Sequence, residues 1–210
     1  DCADMMTSQA QNCLLKTLEE PPEYAVIIMS VVNYEALLPT IRSRTVNLRL
    51  GPYSEDEIRE IIKPLAPKNK NELDFYVRFS RGIPGNAVRM LEETSYRDLR
   101  LQIIYLLQKP DDFSQIEKIR RILNENKDEL PAVIDLIMSV YRDCLMVLMG
   151  MENGLINSDK KDIIKEIASA YSRRKLMDRL SVLEKMQRNF RYNINNQLGI
   201  DVLLLEIQEV

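Results

Sequence analysis

The spacing of apolar residues divides the chain into a short first section with strand-like runs and a long helical remainder. Residues 25–32 (AVIIMSVV) form an almost continuous apolar run, which is typical of a strand covered on both faces in a parallel α/β sheet. Residues 45–50 alternate between polar and apolar side chains, which predicts a second strand. Before them, Thr7 is a suitable N-cap for a helix that Pro21 and Pro22 end. That helix places Met6, Ala10, Cys13, Leu14 and Leu18 on one face.

Only helical periodicity follows the Gly51-Pro52 pair. Residues 51–94 predict three short helices: Ser54 and Glu57 form a capping box for the first, and Pro84 is suited to the first position of the third. Residues 95–210 predict a bundle of five or six longer helices. The sequence therefore predicts an α/β section at 1–50, a three-helix domain at 51–94 and a helical domain at 95–210. Because 1–50 holds too few strands for a parallel sheet, we expect it to be part of a larger α/β domain.

Composition removes several classes of function. The formal net charge of −3 and the pI of about 5.3 argue against a protein that coats nucleic acid through bulk positive charge. The chain has no histidine, which excludes Ser-His and Cys-His nucleophile pairs and histidine metal sites. No apolar run reaches the roughly 20 residues of a membrane helix. We interpret Cys2, Cys13 and Cys144 as buried structural thiols of a cytoplasmic protein.

Three segments carry a resemblance to a known family. The first part of the chain contains the segment TSQAQNCLLKTLEEPP, followed by Asn33 and by the segment LLPTIRSR. In these residues it resembles the clamp-loader branch of the AAA+ ATPases, and within it the delta-prime and gamma/tau subunits of bacterial DNA polymerase III. NINNQLGIDVLLLEI near the end of the chain resembles the last collar helix of that group. The resemblance implies that 1–50 is the C-terminal part of an AAA+ P-loop NTPase domain. It also implies that 51–94 is the lid domain and that 95–210 is the oligomerisation collar.

The resemblance makes Ser43-Arg44 the family's Ser-Arg-Cys motif, in which Thr45 replaces the cysteine. The arginine of that motif reaches the ATP of the adjacent subunit. A guanidinium is planar and always charged, so it can stabilise charge that spreads over a transferring phosphoryl group. The sequence alone also allows Arg42 and Arg44 to be solvated charges at the start of a strand.

Two further positions resemble the nucleotide site. Asp1 corresponds to the Walker B acid, which binds Mg²⁺ in active relatives, but the following position is Cys2 where those relatives have a water-positioning glutamate. Asp4 is expected to be a charge at a helix start. Asn33 corresponds to sensor 1, although asparagine after a strand is equally typical of a turn.

Gly85 corresponds to sensor 2, where active relatives carry an arginine. The ordinary alternative is a tight turn between helices. Cys2 and Gly85 both indicate a subunit that does not hydrolyse ATP. No GxxxxGK[ST] segment occurs in these residues, so the P-loop gives no evidence for or against hydrolysis.

The resemblance therefore implies a non-hydrolysing subunit of the DNA polymerase III clamp loader. Such a subunit presents Arg44 to a neighbour that holds ATP and Mg²⁺, and we expect the residues of this sequence to bind no cofactor or metal themselves. The expected partners are the gamma/tau and delta subunits and, through the complex, the sliding clamp and primed DNA. Two alternatives stay open: a catalytic gamma/tau-type ATPase, and a scaffold derived from the AAA+ fold.

Overall fold

A computed structural model describes residues 2–65, 70–108, 113–190 and 196–209. Asp1 lies outside the described residues. Short 3₁₀ turns connect several of the helices. The helices are α1 (Ser8–Glu19), α2 (Pro39–Arg42), α3 (Glu55–Ile62), α4 (Lys70–Phe79), α5 (Pro84–Glu92), α6 (Thr94–Leu107), α7 (Phe113–Glu125), α8 (Leu130–Leu148), α9 (Lys161–Ser169), α10 (Arg173–Phe190) and α11 (Asn196–Glu209).

The described chain separates into two compact units, residues 1–51 and residues 52–210. We call them the first unit and the second unit. Residues 52–94 and 95–210 lie together in the second unit, so the further division into a lid and a collar stays a prediction. Within the described residues, no helix is long and apolar enough to cross a membrane.

The first unit is built on α1 and α2. Thr7 caps α1 as predicted, because its Oγ1 accepts a hydrogen bond from the backbone N–H of Ala10 at 3.3 Å. The predicted face agrees only in part: Met6 and Leu18 pack against the small core of this unit as expected, but Leu15 also packs there and Gln11 is buried. Cys13 is exposed. The apolar residues of α1 occupy more than one face, so apolarity alone did not identify the buried face.

The two predicted strands are not formed within the described part of the first unit. Residues 25–32 and 45–50 have neither helix nor strand assignment, because no second extended segment forms a ladder of hydrogen bonds with either run. The first run is also covered on only one face: Met29 and Val31 pack on the core, whereas Val26, Ile28 and Val32 are 87–91% exposed. The expectation of a strand covered on both faces was therefore wrong for this structure, and the α/β class is not shown.

The second unit opens with α3 and the predicted capping box. The backbone N–H of Ser54 donates to Glu57 Oε2 at 2.8 Å, and the N–H of Glu57 donates to Ser54 Oγ at 3.3 Å. These bonds satisfy two backbone donors that a helix start otherwise leaves without partners. Ile58 and Ile62 are fully buried one turn apart, so α3 is fixed both at its start and along its inner face.

A tight turn joins α4 to α5 and packs on residues 52–53, and Gly82 makes this close approach possible. Gly82 has a φ of +78°. A Cβ added there would lie 2.6 Å from Pro52 Cβ and 2.6 Å from the carbonyl oxygen of Tyr53. We expect Gly82→Ala to lower the free energy of unfolding of the second unit by about 1–3 kcal/mol, since the left-handed backbone and the steric overlap both penalise a side chain. Urea denaturation followed by circular dichroism measures the change.

Gly85 offers the matched control for that substitution. A Cβ at Gly85, near the start of α5, would meet nothing within 4 Å. Gly85→Ala is therefore expected to leave stability unchanged or to raise it by up to about 1 kcal/mol, because alanine loses less backbone freedom on folding. Equal losses at the two positions would contradict the steric explanation.

Helix α8 is the centre of the second unit and packs on α6, α9 and α10. It spans Leu130–Leu148, inside the region 95–210 for which the sequence predicts longer helices. The side chains of Val133, Ile134 and Cys144 are fully buried. Cys144 thus fits the predicted buried thiol, whereas Cys2 and Cys13 are exposed and that interpretation was wrong for them.

A buried polar network connects α8 to the segment before α9. Asp143 is 0% exposed and accepts hydrogen bonds from the backbone N–H groups of Ile156, at 3.0 Å, and Asn157, at 2.6 Å. The Asn157 side chain extends the network to Arg100, whose Nε donates to Asn157 Oδ1 at 3.0 Å. Arg100 also pairs with Asp159 and lies 3.5 Å over the ring of Phe75. The network therefore joins α4, α6 and α8 through groups that are all partnered.

Candidate functional site

The Ser43-Arg44 pair lies at the end of α2, a single helical turn fixed by its apolar side. Ile41 is fully buried against Leu37 and Ala3, which orients the turn on the first unit. Ser43 Oγ donates to the carbonyl oxygen of Thr40 at 3.1 Å. The chain after Arg42 therefore continues the turn and does not leave as a strand.

Thr45 stabilises the same turn. Its Oγ1 donates to the carbonyl oxygen of Ile41 at 3.1 Å, one of the acceptors that a helix end leaves without a backbone partner. The residue that departs from the Ser-Arg-Cys pattern thus has a local role of its own. The hydrogen bond from Thr45 stabilises the backbone of the turn that carries Arg44.

The beginning of α2 is held by Gln11, a residue that the sequence interpretation missed. Gln11 is 3% exposed. Its Nε2 donates to the carbonyl oxygens of Met6, at 3.2 Å, and Ala36, at 3.3 Å, and its Oε1 accepts from the backbone N–H of Leu38 at 2.8 Å. One buried amide therefore connects α1 to the residue that precedes α2. Helix α1 carries several other polar residues, including Gln9 and Asn12, so nothing in its sequence marked Gln11 as the buried one.

The guanidinium of Arg44 lies at the surface of the first unit between two acceptors. Its Nη2 is 2.6 Å from Glu19 Oε1, at the end of α1, and its Nη1 donates to the carbonyl oxygen of Thr40 at 3.0 Å. The Arg44 side chain is 37% exposed and that of Glu19 is 48% exposed. Arg44 is thus neither buried nor free: its charge is held in place and stays accessible to solvent.

Arg42, on the same turn, has different partners. It pairs with Glu35 and lies 5.7 Å over the ring of Tyr34. Its side chain is 27% exposed. Arg42 and Arg44 therefore each have their own carboxylate, and the two guanidinium groups do not share one.

Asn33 lies beside the first residues of the chain, but its side chain already has a local partner. Its Oδ1 accepts from the N–H of Glu35 at 3.1 Å, which starts the 3₁₀ turn Tyr34–Ala36. Its backbone N–H donates to Asp4 Oδ2 at 3.0 Å and lowers the pKa of that carboxyl below its ordinary value. Asp4 lies in the first turn of the short 3₁₀ helix Ala3–Met5, and its carboxylate also accepts a hydrogen bond from the neighbouring segment that contains Asn33.

Cys2 is held next to the same segment. Its backbone N–H donates to Ser30 Oγ at 3.3 Å, and the N–H of Ala3 donates to the carbonyl oxygen of Ser30 at 2.9 Å. Cys2 and Asp4 thus lie beside residues 30–33 within the first unit. Gly85 belongs to the second unit, at the second position of α5.

Two family models match this chain. The model described as "DNA polymerase III, delta subunit" matches residues 1–54. The model described as "DNA polymerase III, delta subunit, C terminal" matches residues 98–209, which is more than half of the chain. The chain therefore belongs to the clamp-loader subunits of DNA polymerase III, in the family described as its delta subunit.

Individual relatives point to two kinds of subunit. The chain is 25% identical over 214 residues to the delta' subunit of Bacillus subtilis (strain 168), covering 99% of this chain and 64% of the relative. It is 26% identical over 211 residues to the delta' subunit of Escherichia coli (strain K12), covering 98% and 61%. It is 51% identical over 98 residues to the gamma/tau subunit of Mycobacterium bovis (strain ATCC BAA-935 / AF2122/97), covering 44% and 17%.

The chain spans less than two thirds of the length of these relatives. The relatives' names are those of DNA polymerase III subunits, which supports a place for this chain in the clamp-loader family. The roles of Arg44, Ser43, Asn33, Asp1 and Gly85 stay predictions.

Proposed function

We propose that this chain acts in a clamp-loader assembly as a subunit that does not hydrolyse ATP and presents Arg44 to the ATP of a neighbouring subunit. ATP and Mg²⁺ are bound by that neighbour and not by this chain. The assembly includes gamma/tau-type and delta-type subunits and places a sliding clamp on primed DNA. The second unit would supply the contacts that hold the subunit in the assembly.

The placement of Arg44 carries this proposal. Its turn is fixed by the buried Ile41 and by the Gln11 amide, and its guanidinium is partly exposed at the end of α2. A guanidinium held at a protein surface can neutralise the charge that develops on a phosphoryl group in a partner's site. Ser43 supports the arginine from the preceding position, where its Oγ also lies 3.5 Å from Arg44 Nη1.

The absence of hydrolysis by this chain rests on two residues. A thiol at Cys2 cannot serve as the carboxylate that positions water, and glycine at position 85 has no side chain with which to contact a phosphate. The matches to two delta' subunits, which cover 98–99% of this chain, support this proposal, while a gamma subunit matches over 98% of the chain as well.

Two alternatives have an observation of their own. The 51% identity to a gamma/tau subunit over 98 residues favours a catalytic gamma/tau-type ATPase. The Glu19–Arg44 ion pair favours a scaffold without a finger, because it gives the guanidinium a partner within the chain.

Reconstitution with the other clamp-loader subunits tests the proposal. One assembly contains active gamma/tau-type subunits, and a second contains gamma/tau-type subunits whose P-loop lysine is replaced by alanine. We expect both assemblies to form by gel filtration, with ATP turnover stimulated by DNA and clamp in the first and background turnover in the second. Turnover that persists in the second would support the catalytic alternative, and failure of this chain to co-elute would contradict membership of the assembly.

A further inference from the structure

Glu19 and Thr40 hold the guanidinium of Arg44 from two sides. The Glu19 carboxylate, at the end of α1, is 2.6 Å from Nη2, and the Thr40 carbonyl oxygen, on α2, accepts from Nη1 at 3.0 Å. These acceptors belong to different helices. The orientation of the guanidinium is therefore fixed by the way α1 and α2 are held together, including the Gln11 hydrogen bond to Leu38.

The two contacts leave part of the guanidinium available. Arginine has five N–H donors in a rigid plane. Within the described residues, the Nε–H has no hydrogen-bond acceptor, Nη1 lies 3.5 Å from Ser43 Oγ in addition to its bond to Thr40, and the side chain is 37% exposed. A partner's phosphate oxygens could therefore accept from Arg44 while Glu19 stays in place.

We propose that Glu19 is a positioning residue for Arg44: its carboxylate holds the guanidinium so that the remaining N–H donors face a neighbour's phosphates. This inference rests on the proposed finger role of Arg44. A free arginine side chain samples many rotamers and loses that freedom when it binds, and an arginine that is already oriented loses less. Orientation in advance of the reaction raises the rate of the chemical step, since the donors need not reorganise.

The ion pair between Arg42 and Glu35 shows why the positioning role is assigned to Glu19 in particular. Arg42 is paired with Glu35, so Glu19 is not needed to neutralise α2 in general. Glu20 is adjacent to Glu19 and exposed, and no ion pair is described for it. Glu20→Ala thus removes the same charge from the same end of α1 without touching Arg44, and provides the matched control.

The test compares Glu19→Ala, Glu19→Gln and Glu20→Ala in the reconstituted assembly, using the full-length subunit. We expect Glu19→Ala to lower kcat for stimulated ATP hydrolysis by about two- to fivefold, the range that a partly exposed ion pair supports, with KM for ATP within about twofold of its original value. Glu19→Gln keeps an oxygen acceptor and should recover part of the loss. Glu20→Ala should match the original assembly.

The effect of Glu19→Ala in an assembly that already lacks the Arg44 side chain shows whether Glu19 acts through Arg44. In an assembly that carries Arg44→Ala, Glu19→Ala should cause no further loss, because the group that it orients is gone. A loss of the same size in both backgrounds would overturn the inference and indicate a general structural effect. A rise in turnover on Glu19→Ala would also overturn it, since Glu19 would then hold Arg44 away from the phosphates.

Failure of the inference and failure of the proposed function give different results. If Arg44→Ala leaves turnover unchanged, the finger role itself fails. If Arg44→Ala lowers turnover strongly and Glu19→Ala matches the original assembly, only the positioning role of Glu19 is overturned.

Discussion

Replacing Arg44 by alanine is expected to lower the rate of ATP hydrolysis at the neighbouring site that it serves by about 10³-fold, the lower end of the range for fingers supplied in trans in GTPases. The physical reason is the loss of a fixed positive charge beside the transferring phosphoryl group. Turnover of the whole assembly should fall to the rate of those sites that other subunits serve. The measurement is ATP hydrolysis stimulated by DNA and clamp, after gel filtration has shown that the assembly is intact.

Two further substitutions separate a finger from a general change of surface charge. Arg42→Ala removes the same charge from the same turn, where Arg42 is paired with Glu35, and should leave turnover within about twofold. Arg44→Lys keeps the charge but loses the planar fork, so we expect it to restore only part of the rate. Full turnover in an intact assembly with Arg44→Ala would leave the scaffold as the better account.

Replacing Asp143 by alanine is expected to lower the free energy of unfolding of the second unit by about 3–5 kcal/mol. The Asp143 carboxylate accepts from two buried backbone N–H groups, from Asn157 Nδ2 at 2.9 Å and from Arg142 Nη1 at 2.9 Å. Alanine would leave the two backbone N–H groups unpaired in a buried region. Asn157 Nδ2 would keep Ser139 Oγ as an acceptor, and Arg142, which is 43% exposed, would keep the carbonyl oxygen of Gly154. Urea denaturation followed by circular dichroism gives the change from the shift in midpoint.

A surface carboxylate provides the control for that experiment. Asp178 is 52% exposed and lies 3.9 Å from Arg174, which is itself 93% exposed. Asp178→Ala also removes one negative charge and should change stability by less than about 0.5 kcal/mol. A loss at Asp143 no larger than the loss at Asp178 would show that the network does not hold α8 to the segment before α9.

The same carboxyl gives a pH dependence with a definite sign. Burial raises the pKa of Asp143 above its ordinary value, against the lowering effect of the N–H groups of Asn157 and Ile156. The folded state therefore binds the proton more tightly than the unfolded state, and this contribution to stability is lost as pH rises through the raised pKa. Asp143→Asn has no carboxyl group at this position and serves as the reference. As pH rises through the raised pKa of Asp143, the free energy of unfolding of the original chain should fall relative to that of Asp143→Asn.

The helices were predictable because each has local signals. The capping box at Ser54, Pro84 at the start of α5 and the apolar periodicity of α8 act within a few residues, and the observed boundaries follow them closely. The runs at 25–32 and 45–50 were not predictable in the same way. A strand exists only where another extended segment pairs with it, and apolarity alone does not show whether the described chain contains that segment.

The candidate site shows the same difference between local and distant information. Ser43-Arg44 could be located from the family resemblance, and the structure adds that a fixed turn presents the pair at the surface. The residues that hold the turn, Gln11 and Glu19, are distant in sequence from it and act through tertiary contacts. Neither contact has a periodicity or a motif from which it could be derived.

The three thiols differ in exposure, which makes the chain suitable for selective alkylation. Cys144 is fully buried, and burial raises the pKa of its thiol to about 12, so almost no reactive thiolate is present near neutral pH. Cys2 and Cys13 are exposed, and both belong to the first unit. A maleimide dye should therefore label the first unit in the native protein without any substitution. A single exchange, Cys2→Ser, would place the dye on α1 alone, the helix that carries Glu19.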